Sequence, residues 1–187
     1  MFAYAGPLKT EAHRGLDARA SLFETDCLEP DQRLNYGHEI PMKIGFIGLG
    51  NVGGKLAGSL LRNGHDVTVR DLNPDLMAEF VAKGAKSAAS PKEMAEQVDM
   101  IITCLPSPAA TAHVVEAEDG FLQALRPGMV WLEMSTTDYE EVLRLGKLVE
   151  AKGAMIMDSP VSGGCHRADT GNIAIFAGGK REAFEYV

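Results

Sequence analysis

From Met42 onward, short apolar runs alternate with amphipathic ones, and no other feature constrains the fold as tightly. KIGFIG (43–48), MIITCL (100–105) and MVWLEM (129–134) lack the in-out alternation of a half-exposed strand. Such runs make strands that are covered on both faces. Between them, VGGKLAGSLLRNG spaces Val52, Leu56 and Leu60 at helical intervals and closes on Gly64. PDLMAEFVAKG opens at Asn73-Pro74 and closes on Gly84, and SPKEMAEQV opens with Ser90 as cap, Pro91 and Glu93. Further helices are expected over 109–125 and from Asp138 to Lys152. Further strands are expected at HDVTVRD, near Ala85–Ser87, at AMIMD and, as a seventh, at NIAIFAGG. Each connection between buried strands then carries a helix, which gives a doubly wound α/β domain: a mostly parallel sheet with helices on both faces.

Residues 1–41 follow no such rule. Their apolar residues are scattered, and Gly6-Pro7, Pro30 and Pro41 interrupt any period, so a poorly ordered N-terminal extension is expected there. The domain is assigned to residues 42–187. Seven acids against four bases in the first 41 residues do not suit a mitochondrial leader. The whole chain carries 18 basic and 26 acidic residues, a balance that argues against a nucleic-acid surface. No apolar run is long enough to span a membrane. Cys27, Cys104 and Cys165 are odd in number and form no CxxC, so neither a disulfide framework nor a metal site is expected, and a cytoplasmic setting is.

The loop after the first strand reads Gly48-Leu49-Gly50-Asn51-Val52-Gly53. Between a strand and a helix, this G-x-G-x-x-G pattern suits a dinucleotide. Gly48 permits the turn, Gly50 admits a pyrophosphate against bare backbone, and Gly53 lets the helix approach the strand. The N–H groups at the helix start then face the phosphates. Asp71 stands 21 residues after Gly50, at the end of the second strand, where a carboxylate accepts from ribose hydroxyls. The domain is therefore Rossmann-type, and NAD is the expected cofactor because a carboxylate repels a 2′-phosphate. Arg70 is read as a solvated strand end, although a guanidinium there also suits that phosphate, so NADP stays open.

Four segments in order, GFIGLGNVGGKLAGSLLRNGHDV, CLPSP, EMSTT and DSPVSGG, resemble the 3-hydroxyisobutyrate dehydrogenase-like, or β-hydroxyacid, dehydrogenases. These share their cofactor domain with 6-phosphogluconate dehydrogenase. The resemblance implies that Leu105, Pro106 and Ser107 lie over the adenosine side of the cofactor, and that Ser135, Thr136 and Thr137 lie near the nicotinamide. Taken alone, the second run equally suits a helix cap. It further implies that Ser162, Gly163 and Gly164 bind a substrate carboxylate, as successive glycine N–H groups can. Arg167 is a further candidate for a second anionic group. The departures at Cys165, His166 and Arg167 mark the place to look for substrate preference. The family's catalytic lysine falls on a helix beyond Val187, ahead of an all-helical second domain that also supplies the dimer contact. The chain is thus expected to be the cofactor part of a homo-oligomeric oxidoreductase acting on a small hydroxyacid or semialdehyde, with no catalytic residue of its own and no turnover alone. The alternatives are a non-enzymatic NAD(P)-binding module and an imine reductase.

Overall fold

The computed structural model describes residues 42–187; the extension expected over 1–41 lies outside the described residues. In chain order the elements are β1 (Lys43–Ile47), α1 (Gly53–Arg62), β2 (Asp66–Arg70), α2 (Pro74–Ala82), β3 (Lys86–Ser87), α3 (Pro91–Gln97), β4 (Met100–Thr103), α4 (Pro108–Glu116), a 3-10 turn (Phe121–Gln123), β5 (Val130–Glu133), α5 (Tyr139–Ala151), β6 (Met155–Asp158), β7 (Val161–Ser162), α6 (Gly164–Asp169), β8 (Ala174–Ile175), β9 (Gly178–Gly179) and α7 (Arg181–Tyr186). The main sheet runs β3-β2-β1-β4-β5-β6-β9. All its pairs are parallel except β6–β9. The strand order reverses between β1 and β4, which opens a crevice at their carboxyl ends.

Alternate residues of the central strands feed two cores. Ile44, Phe46, Val67, Val69, Met100 and Ile102 pack with Leu56 and Ala57 of α1 and Phe80 of α2. On the other face Ile47, Ile101 and Trp131 pack with Met94 of α3, Val115 of α4 and Leu145 and Val149 of α5. Phe121 meets Trp131 edge-on at 5.5 Å. Each large side chain buried in this way contributes roughly 1.5–3 kcal/mol.

The helix starts follow their sequence cues. Asn73, Ser90 and Asp138 cap α2, α3 and α5 by accepting from the amides of Asp75, Glu93 and Glu141. Two expectations need correction. The helix over 109–125 ends at Glu116. A turn through Gly120 follows it, and that glycine lies so close to the end of α4 that a Cβ there would stand 2.4 Å from the Val115 carbonyl oxygen. The seventh strand is broken in two, with β8 paired to β7 and β9 paired antiparallel to β6. The polar stretch 158–172 forms β7 and the short helix α6, whose Ala168 packs into the first core.

Candidate functional site

The crevice at the carboxyl ends of β1, β2, β4 and β5 is a cleft of about 1020 Å³. Gly48, Gly50, Asn51, Val52 and Gly53 form one wall, and Asp71, Leu105, Pro106, Ser135 and Thr136 line the rest with their neighbours. The three fingerprint glycines act by different means. Gly48 has φ +100, and a Cβ on it would stand 2.3 Å from the Cys104 carbonyl oxygen. At Gly53 a Cβ would stand 2.0 Å from the Gly48 carbonyl oxygen. At Gly50 a Cβ would meet nothing within 4 Å, because it would project into open space. The amide of Leu49 donates to Asp71 Oδ2 at 2.6 Å, and the amide of Asn73 donates to Oδ1 at 2.8 Å. Arg70 is half-buried and lines the cleft, so it is not the solvated strand end expected from sequence. Its Nη1 donates to the Asp71 carbonyl, while its Nε is buried without a partner among the described residues.

A buried polar network lies beneath the far half of the cleft. Thr103, Glu133 and Asp158 stand in one row across the ends of β4, β5 and β6. Glu133 is fully buried. Its Oε2 accepts from Thr103 Oγ1 at 2.7 Å and its Oε1 from the Ser135 amide at 2.7 Å. Trp131 Nε1 donates to Thr103 Oγ1 at 2.8 Å, and the Leu105 amide donates to Ser135 Oγ at 2.8 Å. Burial pushes the Glu133 carboxyl above its ordinary range, against the pull of hydrogen bonds from Ser135 and Thr103. Burial likewise raises Asp158. The Cys104 thiol, desolvated and next to the Glu133 charge, is pushed up to about 11.

A dinucleotide suits these residues. The space beside Gly50 is the room a pyrophosphate needs, and α1 begins with no side-chain cap although α2, α3, α4 and α5 each have one. Of its first N–H groups, those of Gly54 and Lys55 donate to the Gly50 and Val52 carbonyls at 2.8 and 3.0 Å, which leaves the Gly53 amide and the turn before it for an anion. The family model for the NAD binding domain of 6-phosphogluconate dehydrogenase matches residues 43–187. The chain belongs to this family. Mouse (Mus musculus) mitochondrial 3-hydroxyisobutyrate dehydrogenase is 40% identical over 141 residues, which are 75% of this chain and 42% of the relative. The Mycobacterium tuberculosis 3-hydroxyisobutyrate dehydrogenase, solved with L-serine, superposes with a TM-score of 0.72 at 29% identity, covering 78% of this chain and 49% of that one. An imine reductase from Pseudomonas sp. superposes with a TM-score of 0.71 at 25% identity, covering 78% and 50%. The chain thus spans about half the length of the relatives it matches, or somewhat less.

As an NAD-binding domain, the chain brings most of the expected cofactor residues to one cleft and gives others different work. Leu49 serves through its amide. Ser107 caps α4, accepting from the Ala110 amide at 3.2 Å. Thr137 Oγ1 is buried without a partner among the described residues. Of the expected substrate residues, Gly164 reaches the cleft beside Val161. Gly163 and Gly164 have φ +132 and +75, a left-handed pair that turns β7 into α6. Ser162 lies exposed in β7, paired with Ala174. Arg167 is exposed, and its Cδ lies 2.8 Å from where a Gly163 Cβ would be. With Lys55 and Asp169, Cys165 lines a second, adjoining cleft, which shares Gly50, Asn51 and Leu76 with the first. Lys180 pairs with Glu150 at 2.8 Å. His113 lines the main cleft from α4. Sequence reasoning missed Glu133, Thr103 and Cys104. The signal for Glu133 was present: a lone acid at the carboxyl end of an apolar strand, MVWLEM.

Proposed function

We propose that this chain is the nucleotide-binding part of an NAD-dependent oxidoreductase of the β-hydroxyacid type. Hydride would move between the nicotinamide and the CH–OH carbon of a small hydroxyacid or the matching semialdehyde. The observation that carries the reading is the Asp71 carboxylate, held by the Leu49 and Asn73 amides beside the open face of Gly50. Each carboxylate oxygen keeps a lone pair for a ribose hydroxyl, and its charge disfavours a 2′-phosphate. When bound, the cofactor supplies the hydride chemistry. The chain's own residues bind and orient: the α1 N-terminus takes the pyrophosphate, and the Ser135–Thr136 loop borders the nicotinamide half. Ser162, Gly163, Gly164 and Arg167 remain the proposed substrate contacts, with Gly164 the one at the cleft. The catalytic lysine, the helical domain and homo-oligomerisation belong to the whole protein as proposed. A reducing, cytoplasmic setting is proposed from an odd number of cysteines that form no CxxC, and cell fractionation decides it.

Two measurements test the reading. Fluorescence titration of the 187-residue chain is expected to give tighter binding of NADH than of NADPH, and failure to bind either overturns it. The longer protein is expected to reduce NAD with a small 3-hydroxyacid. The imine-reductase reading rests on the Pseudomonas sp. neighbour and predicts NADPH preference and reduction of a cyclic imine instead.

A further inference from the structure

Glu133 is the one fully buried acid among the described residues, and no part of the proposed binding role uses it directly. The hydrogen-bond pattern around it is that of a carboxylate. The Ser135 amide can only donate. Thr103 Oγ1 already receives the Trp131 N–H, which leaves its own proton to give to Oε2 at 2.7 Å; the alternative acceptor, the Leu132 carbonyl, lies at 3.4 Å. Through Ser135, Glu133 also acts on the next loop, because the Ser135 hydroxyl accepts the Leu105 amide at 2.8 Å. One carboxylate therefore braces two of the loops that wall the cleft.

The topology says which half of the cleft this is. Asp71 at the end of β2 takes the ribose on one side, and the glycine turn after β1 takes the pyrophosphate. The β4 and β5 ends lie across that turn from Asp71 and border the other nucleoside, so the Leu105 loop, expected over the adenosine side, reaches past the pyrophosphate to it. Building on the proposed cofactor reading, we propose that Glu133 is a positioning residue for the nicotinamide half of the site, holding the Ser135 and Leu105 loops from beneath and favouring, by its buried charge, the oxidised ring over the reduced one. The oxidised ring carries a positive charge that the reduced ring lacks. A carboxylate under the floor, shielded from water, acts on that difference. Asp158, in the same row on β6, and Cys104, at the end of β4, are the titratable neighbours of Glu133.

The test compares three probes on the full 187-residue chain: NAD+, NADH and ADP-ribose, which lacks the nicotinamide. In Glu133→Gln, the amide can still accept from the Ser135 N–H and can donate to Thr103, so shape is kept while charge is lost. ADP-ribose affinity is expected to stay at the wild-type value. The ratio of NAD+ to NADH affinity is expected to fall roughly three- to tenfold. An unchanged ratio, or equal loss for all three probes, overturns the inference. Ser135→Ala keeps the charge and removes the tie to Leu105. It is expected to weaken NADH against ADP-ribose with the NAD+ to NADH ratio intact, and unchanged NADH binding there overturns the positioning role even if the glutamine variant does not fold. Failure of the wild-type chain to bind ADP-ribose would instead sink the cofactor reading on which the inference stands.

Discussion

The carboxylate of Asp71 accepts the Leu49 amide at 2.6 Å, and this bond, beside the one from the Gly48 amide to the Arg70 carbonyl at 3.0 Å, ties the end of β2 to the glycine turn that follows β1. The same side chain thus holds the turn and faces the cleft. Asp71→Ala leaves the Leu49 and Asn73 amides without their acceptors, so a stability loss of about 1–3 kcal/mol is expected in a thermal or urea melt. NADH binding should weaken, and the preference for NADH over NADPH should shrink, because the charge that repels a 2′-phosphate is gone. Unaltered preference between the two nucleotides would reject the role given to Asp71.

Gly50 and Gly53 separate binding from folding. A methyl at Gly50 enters open space, so Gly50→Ala should keep its stability within about 0.5 kcal/mol of wild type while losing at least roughly tenfold in NADH affinity. A methyl at Gly53 would stand 2.0 Å from the Gly48 carbonyl oxygen, so Gly53→Ala must move backbone and should lose stability as well. Melting curves beside NADH titrations distinguish the two. Equal stability losses would mean that the open face of Gly50 is not what the geometry makes it.

The cysteines should differ in reactivity. Cys104 is raised to about 11 from its ordinary 9.0 by burial and by Glu133, which leaves almost no thiolate near neutral pH, whereas Cys165 is exposed. Iodoacetamide at pH 7.5 followed by peptide mass spectrometry should find Cys165 alkylated and Cys104 spared. Urea should abolish the difference. Rapid labelling of native Cys104 would contradict its environment.

Glu133 makes a pH-dependent contribution whose sign follows from its raised pKa. The native state holds this proton more tightly than the unfolded chain does. The stabilising contribution is therefore complete below the ordinary value of 4.5 and is lost as pH rises through the folded value. Glu133→Gln removes that loss, so the melting temperature of the variant minus that of wild type should climb as pH is raised from 4.5. Scanning calorimetry at several pH values checks it, and a difference that stays flat with pH would show that the carboxyl titrates normally.

Much of this was legible in the chain itself. KIGFIG, MIITCL and MVWLEM identify themselves as buried parallel strands because they lack alternation, and Asn73-Pro74 and Ser90-Pro91 announce helix starts. The fingerprint from Gly48 to Gly53, with Asp71 after it, also marks the turn that lies at the switch between β1 and β4. Such signals are local: they depend on spacing within a turn, a helix or a strand. Other features depend on partners far along the chain. The brace formed by Glu133 needs Thr103, 30 residues earlier, to fall in register with it across β4 and β5. The break of NIAIFAGG into β8 and β9 is decided by two different neighbours, β7 and β6, which pair with residue pairs only two positions apart. The stretch from Asp158 to Asn172 looks like loop by composition. It forms α6 because Ala168 finds a place against the core, burial that its local propensity does not reveal. The sequence determined the order of the strands and helices and the glycine turn that opens onto the cleft; tertiary packing decided which polar groups lie buried beneath that cleft, since only folding brings distant donors to a carboxylate taken out of water.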